Sequence, residues 1–317
     1  PADIETTRLV ADLLATGGRG GSDDTNRVDE NADGDDGNAD GDDLATVTRF
    51  LLGRVFPAHD TRTLDVGPAL CREAIARAAG PNVTAADVED RLASAGDIGA
   101  VAADFDFGGQ RGLAAFGEGR DALTVAELDA ALRELAAASG DGSESRKLDA
   151  LFGLFNRCDP VEAKYLARLV LGEMRIGVGE GTVRDAVAEA FLAGSSAEGD
   201  GGGDEQESGD EEPTLHAADE AVATAERALQ VTNDYGRVAA LARDEGLAGL
   251  RAEGLEVGRP VQAMLAQAGT ATDAVESFGE VAVETKFDGA RVQIHYVPGD
   301  AESDREGLGS TRGTWTT

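Results

Sequence analysis

The stretch VAVETKFDGARVQIHY, residues 281–296, sets a lysine, an aspartate and an arginine around a tight turn. Only three lysines occur in the chain, Lys147, Lys164 and Lys286, against twenty-five arginines. A lysine kept where lysine is almost purged points to work that arginine cannot do. Arginine stays protonated, whereas a lysine that is desolvated or set near cations loses its proton and attacks phosphorus or a carbonyl. Lys286, Asp288, Gly289 and Arg291 form a Lys-x-Asp-Gly-x-Arg string. A turn at Asp288-Gly289 would bring amine, carboxylate and guanidinium to one strand end. That set suits a phosphate-bearing ligand, with Arg291 on its polar groups, Lys286 on phosphorus and Asp288 orienting. The competing reading is a surface lysine beside a hairpin turn.

A second pattern is RIGVGEGTVRDAV, residues 175–187. Gly177, Gly179 and Gly181 precede a helix expected to start near Thr182. Glycines let backbone N–H groups approach a phosphate, and a helix start favours an anion. Arg175 and Arg184 flank the loop. The competing reading is a flexible helix–helix turn. His59, His216 and His295 are isolated and read as structural. The segment DENADGDDGNAD (29–40) has calcium-loop-like spacing but no Glu at its twelfth position and no flanking helices. No metal ligand is assigned.

The elements that must position these groups are mostly helical. One-sided apolar stripes run through IETTRLVADLLA, LATVTRFLLGRVFP (expected to stop at Pro57), GPALCREAIARAAG, SESRKLDALFGLFNRCD, DPVEAKYLARLVLGEM and TLHAADEAVATAERALQVTND. NVTAADVEDRLAS and LTVAELDAALRELAAAS open with Thr84 and Thr124, each followed three residues later by an acid, Asp87 and Glu127. No strand pattern occurs before about residue 250. Two Gly/Asp-rich acidic stretches, 17–43 and 194–213, interrupt the helices and read as disordered surface loops. After residue 252, LEVGRPVQAMLAQ reads as an extended entry, and EVAVETK and ARVQIHYV alternate with period two around Asp288-Gly289. The fold class is therefore multidomain, α then α+β: an all-helical domain over 1–252, then the incomplete start of a second domain over 253–317.

Composition bounds the setting. The net charge is −33, the pI is near 4.2, apolar residues make up 41% and aromatics 4%. Cores built mainly of Ala, Leu and Val are expected. Disorder, basic partners and molar salt are three readings of the charge. Scarce lysine with abundant Asp and Glu favours salt, where the Debye length falls to roughly 3 Å at 1 M and self-repulsion is screened. Net charge then does not exclude nucleic acid. Cys71 and Cys158 lack CxxC partners, so neither a disulfide framework nor structural zinc is expected. No apolar run reaches membrane-spanning length. A reduced, cytoplasmic protein is expected.

ETKFDGAR resembles the first motif of the covalent nucleotidyltransferases: ATP-dependent DNA ligases, RNA ligases and capping enzymes. GRPVQAMLAQ, TNDYG and KYLARLVLGEMRIGVGEGTVRDAVAEAF narrow the resemblance to archaeal and eukaryotic replicative-type DNA ligases, here from a halophilic archaeon. It covers nearly the whole chain outside the insertions. The resemblance implies a DNA-binding helical domain followed by the beginning of an adenylation domain. It implies that Lys286 attacks the α-phosphorus of ATP, that AMP passes to the 5′-phosphate of a nick, and that the 3′-hydroxyl seals the strand. Mg2+ is the implied ion. Glu284 contacts adenine, Arg291 binds the nucleotide, and Asp288 and Gly289 support the site. Arg175, Gly177, Gly179, Gly181, Thr182 and Arg184 hold the DNA backbone. Nicked duplex DNA is the partner, a sliding clamp a second candidate, and a monomer the expected state.

The family pattern requires more after Lys286 than the thirty-one residues that follow it. GSTRGTWTT does not resemble a ligase strand. One encoding of TRGTWTT, read from its third base, gives Ser-Arg-Asn-Met-Asp-Asp, similar to a nucleotide-binding segment of the family. A shifted frame, and a chain inactive in nick sealing by itself, are the expectations. A non-catalytic DNA-binding remnant and an RNA ligase or capping enzyme are the alternatives.

Overall fold

The structure is a computed structural model that describes residues 2–17, 43–107, 123–193, 215–262, 269–285, 292–297 and 314–316. Both acidic insertions and the 29–40 segment lie essentially outside them. So do Lys286, Asp288, Gly289 and Arg291.

Helix α1 spans Ala2–Gly17, α2 Leu44–Leu51, α3 Pro68–Ala79, α4 Ala85–Ala95 and α5 Ile98–Ala103. Then come α6 Val125–Ala137, α7 Ser143–Arg157, α8 Pro160–Val170 and α9 Glu180–Leu192. They are followed by α10 Asp219–Thr232, α11 Tyr235–Asp244 and α12 Gly246–Ala252. Their boundaries follow from local chemistry. Thr84 and Thr124 form capping boxes with Asp87 and Glu127, and Asp159 forms one with Glu162 ahead of Pro160. Each box satisfies N–H groups that a helix start leaves without partners. Helix α2 ends at Leu51, because Gly53 takes a left-handed turn (φ 71°), so Pro57 does not set its end. The short helices α5 and α12 carry too few residues for a readable period.

Two apolar cores form. The first gathers α3, α4, α5, α6, α7 and α8 around Phe105, Phe107 and Phe155, whose rings tilt against one another at 5.4–6.1 Å. The second joins α1 and α2 to α9, α10, α11 and α12, and its fully buried side chains are Ala, Leu and Val. The expectation of cores built mainly of Ala, Leu and Val holds for both, and the first adds its phenylalanine cluster. Cys71 and Cys158 are buried in the first core, and burial pushes the Cys71 thiol up to about 12.

The two cores are built by crossed repeats. Arg49-Phe-Leu-Leu-Gly53 matches Arg168-Leu-Val-Leu-Gly172, Leu64-Asp-Val-Gly67 matches Ile176-Gly-Val-Gly179, and Asp97-Ile-Gly-Ala-Val-Ala-Ala103 matches Asp234-Tyr-Gly-Arg-Val-Ala-Ala240. The first unit is α1 to α5 and the second α7 to α11. Helices α1 and α2 of the first pack on α9 and α11 of the second, while α7 and α8 of the second pack on α3 and α5 of the first. Reciprocal contacts of this kind are the mark of a two-fold relation. Gly53 and Gly172 meet where the units cross: a Cβ on Gly53 would lie 3.1 Å from the Gly172 carbonyl oxygen, and one on Gly172 3.7 Å from that of Gly53.

A matched pair of ionic clasps ties the crossing. Asp234 caps α11 through the Gly236 N–H and accepts Arg49 Nε at 3.0 Å and Nη2 at 2.7 Å. Asp97 caps α5 through the Gly99 N–H and accepts Arg168 Nε at 3.2 Å and also Nη2. A left-handed residue precedes each aspartate, Asn233 and Gly96. A glycine stands two residues after each because the helices touch. A Cβ on Gly236 would sit 2.6 Å from the Ala45 oxygen, and one on Gly99 2.6 Å from the Lys164 oxygen.

Residues 253–262 dock on the second core through Gln262 N–H to Gln230 O (2.8 Å) and Arg227 Nη1 to Glu253 O (3.1 Å). Beyond them α13, Ala271–Phe278, opens with a Thr270–Asp273 capping box and buries none of its residues. Strand β1, His295–Val297, pairs antiparallel with β2, Thr314–Thr316, with Tyr296 opposite Trp315. One expectation is corrected here: residues 281–285 form no strand, because no ladder partner lies beside them among the described residues.

Candidate nucleic-acid interface

The glycine loop lies between α8 and α9, held from three sides. Arg168, already in the Asp97 clasp, donates from Nη1 to the Met174 carbonyl at 3.2 Å. Arg175 takes a left-handed conformation (φ 50°) and donates to the Gly96 carbonyl at 3.0 Å. Arg54, from the turn after α2, reaches Glu180 at 2.6 Å. These contacts fix the loop to the first unit although the loop belongs to the second.

Within that frame Gly177 has φ 73°, a region that favours glycine, and Gly179 is the N-cap of α9. The helix starts at Glu180, two residues before the Thr182 expected from sequence, and no side chain caps it. Gly177, Gly179 and Gly181 are exposed, and a Cβ on any of them would meet nothing within 4 Å. Internal packing therefore does not require these glycines. Thr182 and Arg184 are half-buried. Arg184 pairs with Asp185 at 2.7 Å and faces Glu226 at 3.5 Å; Arg175 pairs with Glu173 at 2.6 Å. Both arginines thus carry carboxylate partners. Burial, with the nearby Glu180 carboxylate, pushes the Tyr235 hydroxyl at the start of α11 up to about 12.

The first unit holds the counterpart loop, which sequence reading passed over. Asp65 takes the left-handed conformation (φ 48°) that Gly177 takes, and Gly67 caps α3 as Gly179 caps α9. Lys147 is 5% exposed and donates from Nζ to the Leu64 carbonyl at 2.8 Å, holding this loop from below. Asp65, Gly67 and Pro68 are exposed. The signal that finds it is the repeated Val-x₀-Gly step at 66–67 and 178–179, read together with the two Asp-x-Gly-x-Val-Ala-Ala strings.

The adenylation candidates divide differently. Glu284 is exposed, and Lys286, Asp288, Gly289 and Arg291 lie outside the described residues. Among the described residues no group of three His, Cys, Asp or Glu side chains converges on a metal position. His216 Nδ1 sits 2.8 Å from Glu189, and His295 Nδ1 accepts the Gly258 N–H, both structural uses.

The family described as DNA ligase N terminus matches residues 3–188. The chain belongs to this family. A DNA ligase of Halorubrum lacusprofundi is 75% identical over 313 residues, 98% of this chain and 49% of that protein. A DNA ligase of Haloferax volcanii is 68% identical over 296 residues, 93% of this chain and 47% of that protein. One from Archaeoglobus fulgidus is 40% identical over 255 residues, 80% of this chain and 40% of that protein. The chain spans about half the length of these curated DNA ligases. No helix among the described residues is long and apolar enough to cross a membrane.

Proposed function

We propose that this chain forms the DNA-binding half and the opening of the adenylation domain of an ATP-dependent DNA ligase. The carrying observation is its 75% identity, over 98% of its length, to a DNA ligase. Residues 1–252 bind nicked duplex DNA, and residues 253–317 begin the adenylation domain. The two helix starts at Gly67 and Gly179 face the backbone phosphates. Duplex strands are themselves related by two-fold axes, and the crossed units supply two equivalent faces to two antiparallel backbones. Contacts through N–H groups and helix starts carry no sequence information, as nick sealing requires. Counterion release drives association poorly in molar salt, so fit and hydrogen bonding carry more of the binding.

In the adenylation step the Lys286 amine attacks the α-phosphorus of ATP, a nitrogen–phosphorus bond forms, pyrophosphate leaves and the amine loses a proton. The nick's 5′-phosphate takes the AMP from Nζ. The 3′-hydroxyl then attacks that phosphate, loses its proton, and AMP leaves. Glu284 contacts the adenine, and Asp288, Gly289 and Arg291 hold the nucleotide. Mg2+ is the ion that would stabilise charge on the phosphates, and no ligand for it is assigned. The reading places the protein in replication, repair and recombination of DNA, acting as a monomer in the cytoplasm, with a sliding clamp as a further partner.

The test is incubation of the longer polypeptide that contains this chain with α-labelled ATP or GTP in molar KCl, with and without nicked duplex. Label from ATP on wild type, lost in Lys286→Ala, supports the reading. Charging by GTP instead makes it a capping-type enzyme. Duplex binding without any label makes it a non-catalytic remnant.

A further inference from the structure

A cavity of about 520 Å³ lies apart from both helix-start faces, where α2, α6, α11 and the turn at 57–62 meet. Arg259, from the strip leading to the adenylation segment, forms part of its wall. Its size falls within the roughly 300–1,000 Å³ of small-ligand pockets. In a chain with net charge −33, five arginines line it against three aspartates.

Four buried side-chain polar atoms among the described residues have no hydrogen-bond partner, and three of them, on His59, Asp129 and Arg259, belong to residues lining this cavity. Arg259 is 7% exposed; its Nη2 holds Glu256 at 2.6 Å, while Nη1 is unpartnered. Asp129 is 6% exposed; Oδ2 accepts Arg133 Nε at 2.7 Å, while Oδ1 is unpartnered. His59 Nδ1 is the third. Leaving a buried polar atom without a partner costs roughly 1–3 kcal/mol, so three at one cavity call for an occupant with matching groups.

The three atoms specify that occupant. Arg259 Nη1 is a donor and needs an acceptor. Asp129 Oδ1, as a carboxylate oxygen, is an acceptor and needs a donor. His59 Nδ1 serves either way according to tautomer. An oxyanion that keeps one hydroxyl offers both, P–O⁻ to Arg259 and P–OH to Asp129. No Phe, Tyr or Trp lines the cavity. A backbone phosphodiester has no hydroxyl on phosphorus, and sulfate at neutral pH has none either; both would set an acceptor against Asp129.

We infer that this cavity is a binding site for inorganic phosphate, which at neutral pH still carries a hydroxyl on phosphorus. Because Arg259 stands on the strip that leads from the helical region to the adenylation segment, an occupant fastens that strip to α2, α6 and α11.

The test is calorimetric titration of the chain with inorganic phosphate, sulfate and AMP at fixed KCl and neutral pH. Phosphate is expected to bind at least tenfold tighter than sulfate, and Arg259→Gln to lower phosphate affinity at least tenfold with an unchanged phosphate-free unfolding midpoint. Asp129→Asn, which can donate, is expected to admit sulfate. AMP, a monoester that at neutral pH is mostly a dianion with no hydroxyl on phosphorus, is expected to bind at least tenfold more weakly than phosphate, and AMP binding as tightly as phosphate overturns the site. Equal affinity for phosphate and sulfate in the wild type, or no binding of either, overturns the site. So does an Arg259→Gln protein that binds phosphate as tightly as wild type.

Discussion

Asp234 and Asp97 each cap a helix, each hold an arginine from the other repeat and each precede a close-packed glycine, yet their surroundings differ. The Asp234 side chain is 5% exposed and that of Asp97 18%. Burial pushes the Asp234 carboxyl up, but the Arg49 guanidinium and the Gly236 and Arg237 N–H groups outweigh it and hold it below the ordinary carboxylate range. At Asp97 the Arg168 guanidinium is the largest influence, and the carboxyl is again held low. The same bonds therefore do different work: the drier clasp is the one whose loss leaves a charge stranded.

Removing one partner of a buried pair costs about 3–5 kcal/mol. Arg49→Ala, which strands Asp234, is expected to lose that much in denaturant unfolding at fixed KCl. Arg168→Ala, which strands the more exposed Asp97, is expected to lose less, about 1.5–3 kcal/mol, the range for hydrogen bonds to a charged group. Equal losses would break the distinction between the sites.

The glycines make the sharper symmetric test. Gly236→Ala and Gly99→Ala put a Cβ 2.6 Å from a carbonyl oxygen in each unit. Each is expected to destabilise by about 1–3 kcal/mol, and by similar amounts. A tolerated substitution at one site alone would show that the units do not pack as equivalents.

Acid probes both clasps together. The folded-state pKa of each aspartate lies below its usual value of 3.8. The unfolded chain therefore takes up protons first, and stability falls as pH drops below about 4 and on through the folded-state values. Asp234→Asn is expected to flatten the acid limb of the stability–pH curve measured by circular dichroism. An unaltered limb would remove Asp234 from the acid response.

The smallest effect concerns the insertions. Helix α1 ends at Gly17 and α2 begins at Leu44, whereas their counterparts α7 and α8 are joined through Cys158 and Asp159 alone. Likewise α9 and α10 are separated by the second insertion, whereas α3 and α4 are joined by residues 80–84. Both insertions thus occupy connections whose mates are short. Loop-closure entropy changes slowly with length. Replacing 18–42 by a four-residue turn is expected to move stability by about 1 kcal/mol or less in the same unfolding measurement.

Much of the helical region was legible in sequence because its signals are local: apolar periodicity, the Thr84 and Thr124 boxes, Pro at helix starts. The crossing was not. Equivalent residues stand at changing separations, since the insertions enter different connections, and no fixed period announces the repeat. Aspartate fills the left-handed position at 65 where glycine fills it at 177, which hides the first loop. Arg54 and Arg175 fasten the glycine loop through contacts to Glu180 and Gly96 that join residues far apart in sequence, which no short motif encodes. The alternating run at 281–285 predicted a strand, but a strand exists only beside a partner. Phe278 at 75% and Val283 at 90% exposure have nothing packed on them among the described residues.

The central functional claim is that the two uncapped helix starts grip the DNA backbone. Gly67 and Gly179 have extended backbone at the N-cap and no atom within 4 Å of a Cβ. Aspartate is a favoured N-cap residue, so Gly67→Asp and Gly179→Asp keep or raise stability while placing a negative charge on the phosphate face. The measurement is nicked-duplex affinity of both variants and wild type in molar KCl, alongside their unfolding midpoints. At least a tenfold loss in each, about 1.4 kcal/mol, with midpoints held or raised, is the predicted result. Unchanged affinity in Gly179→Asp would contradict the account.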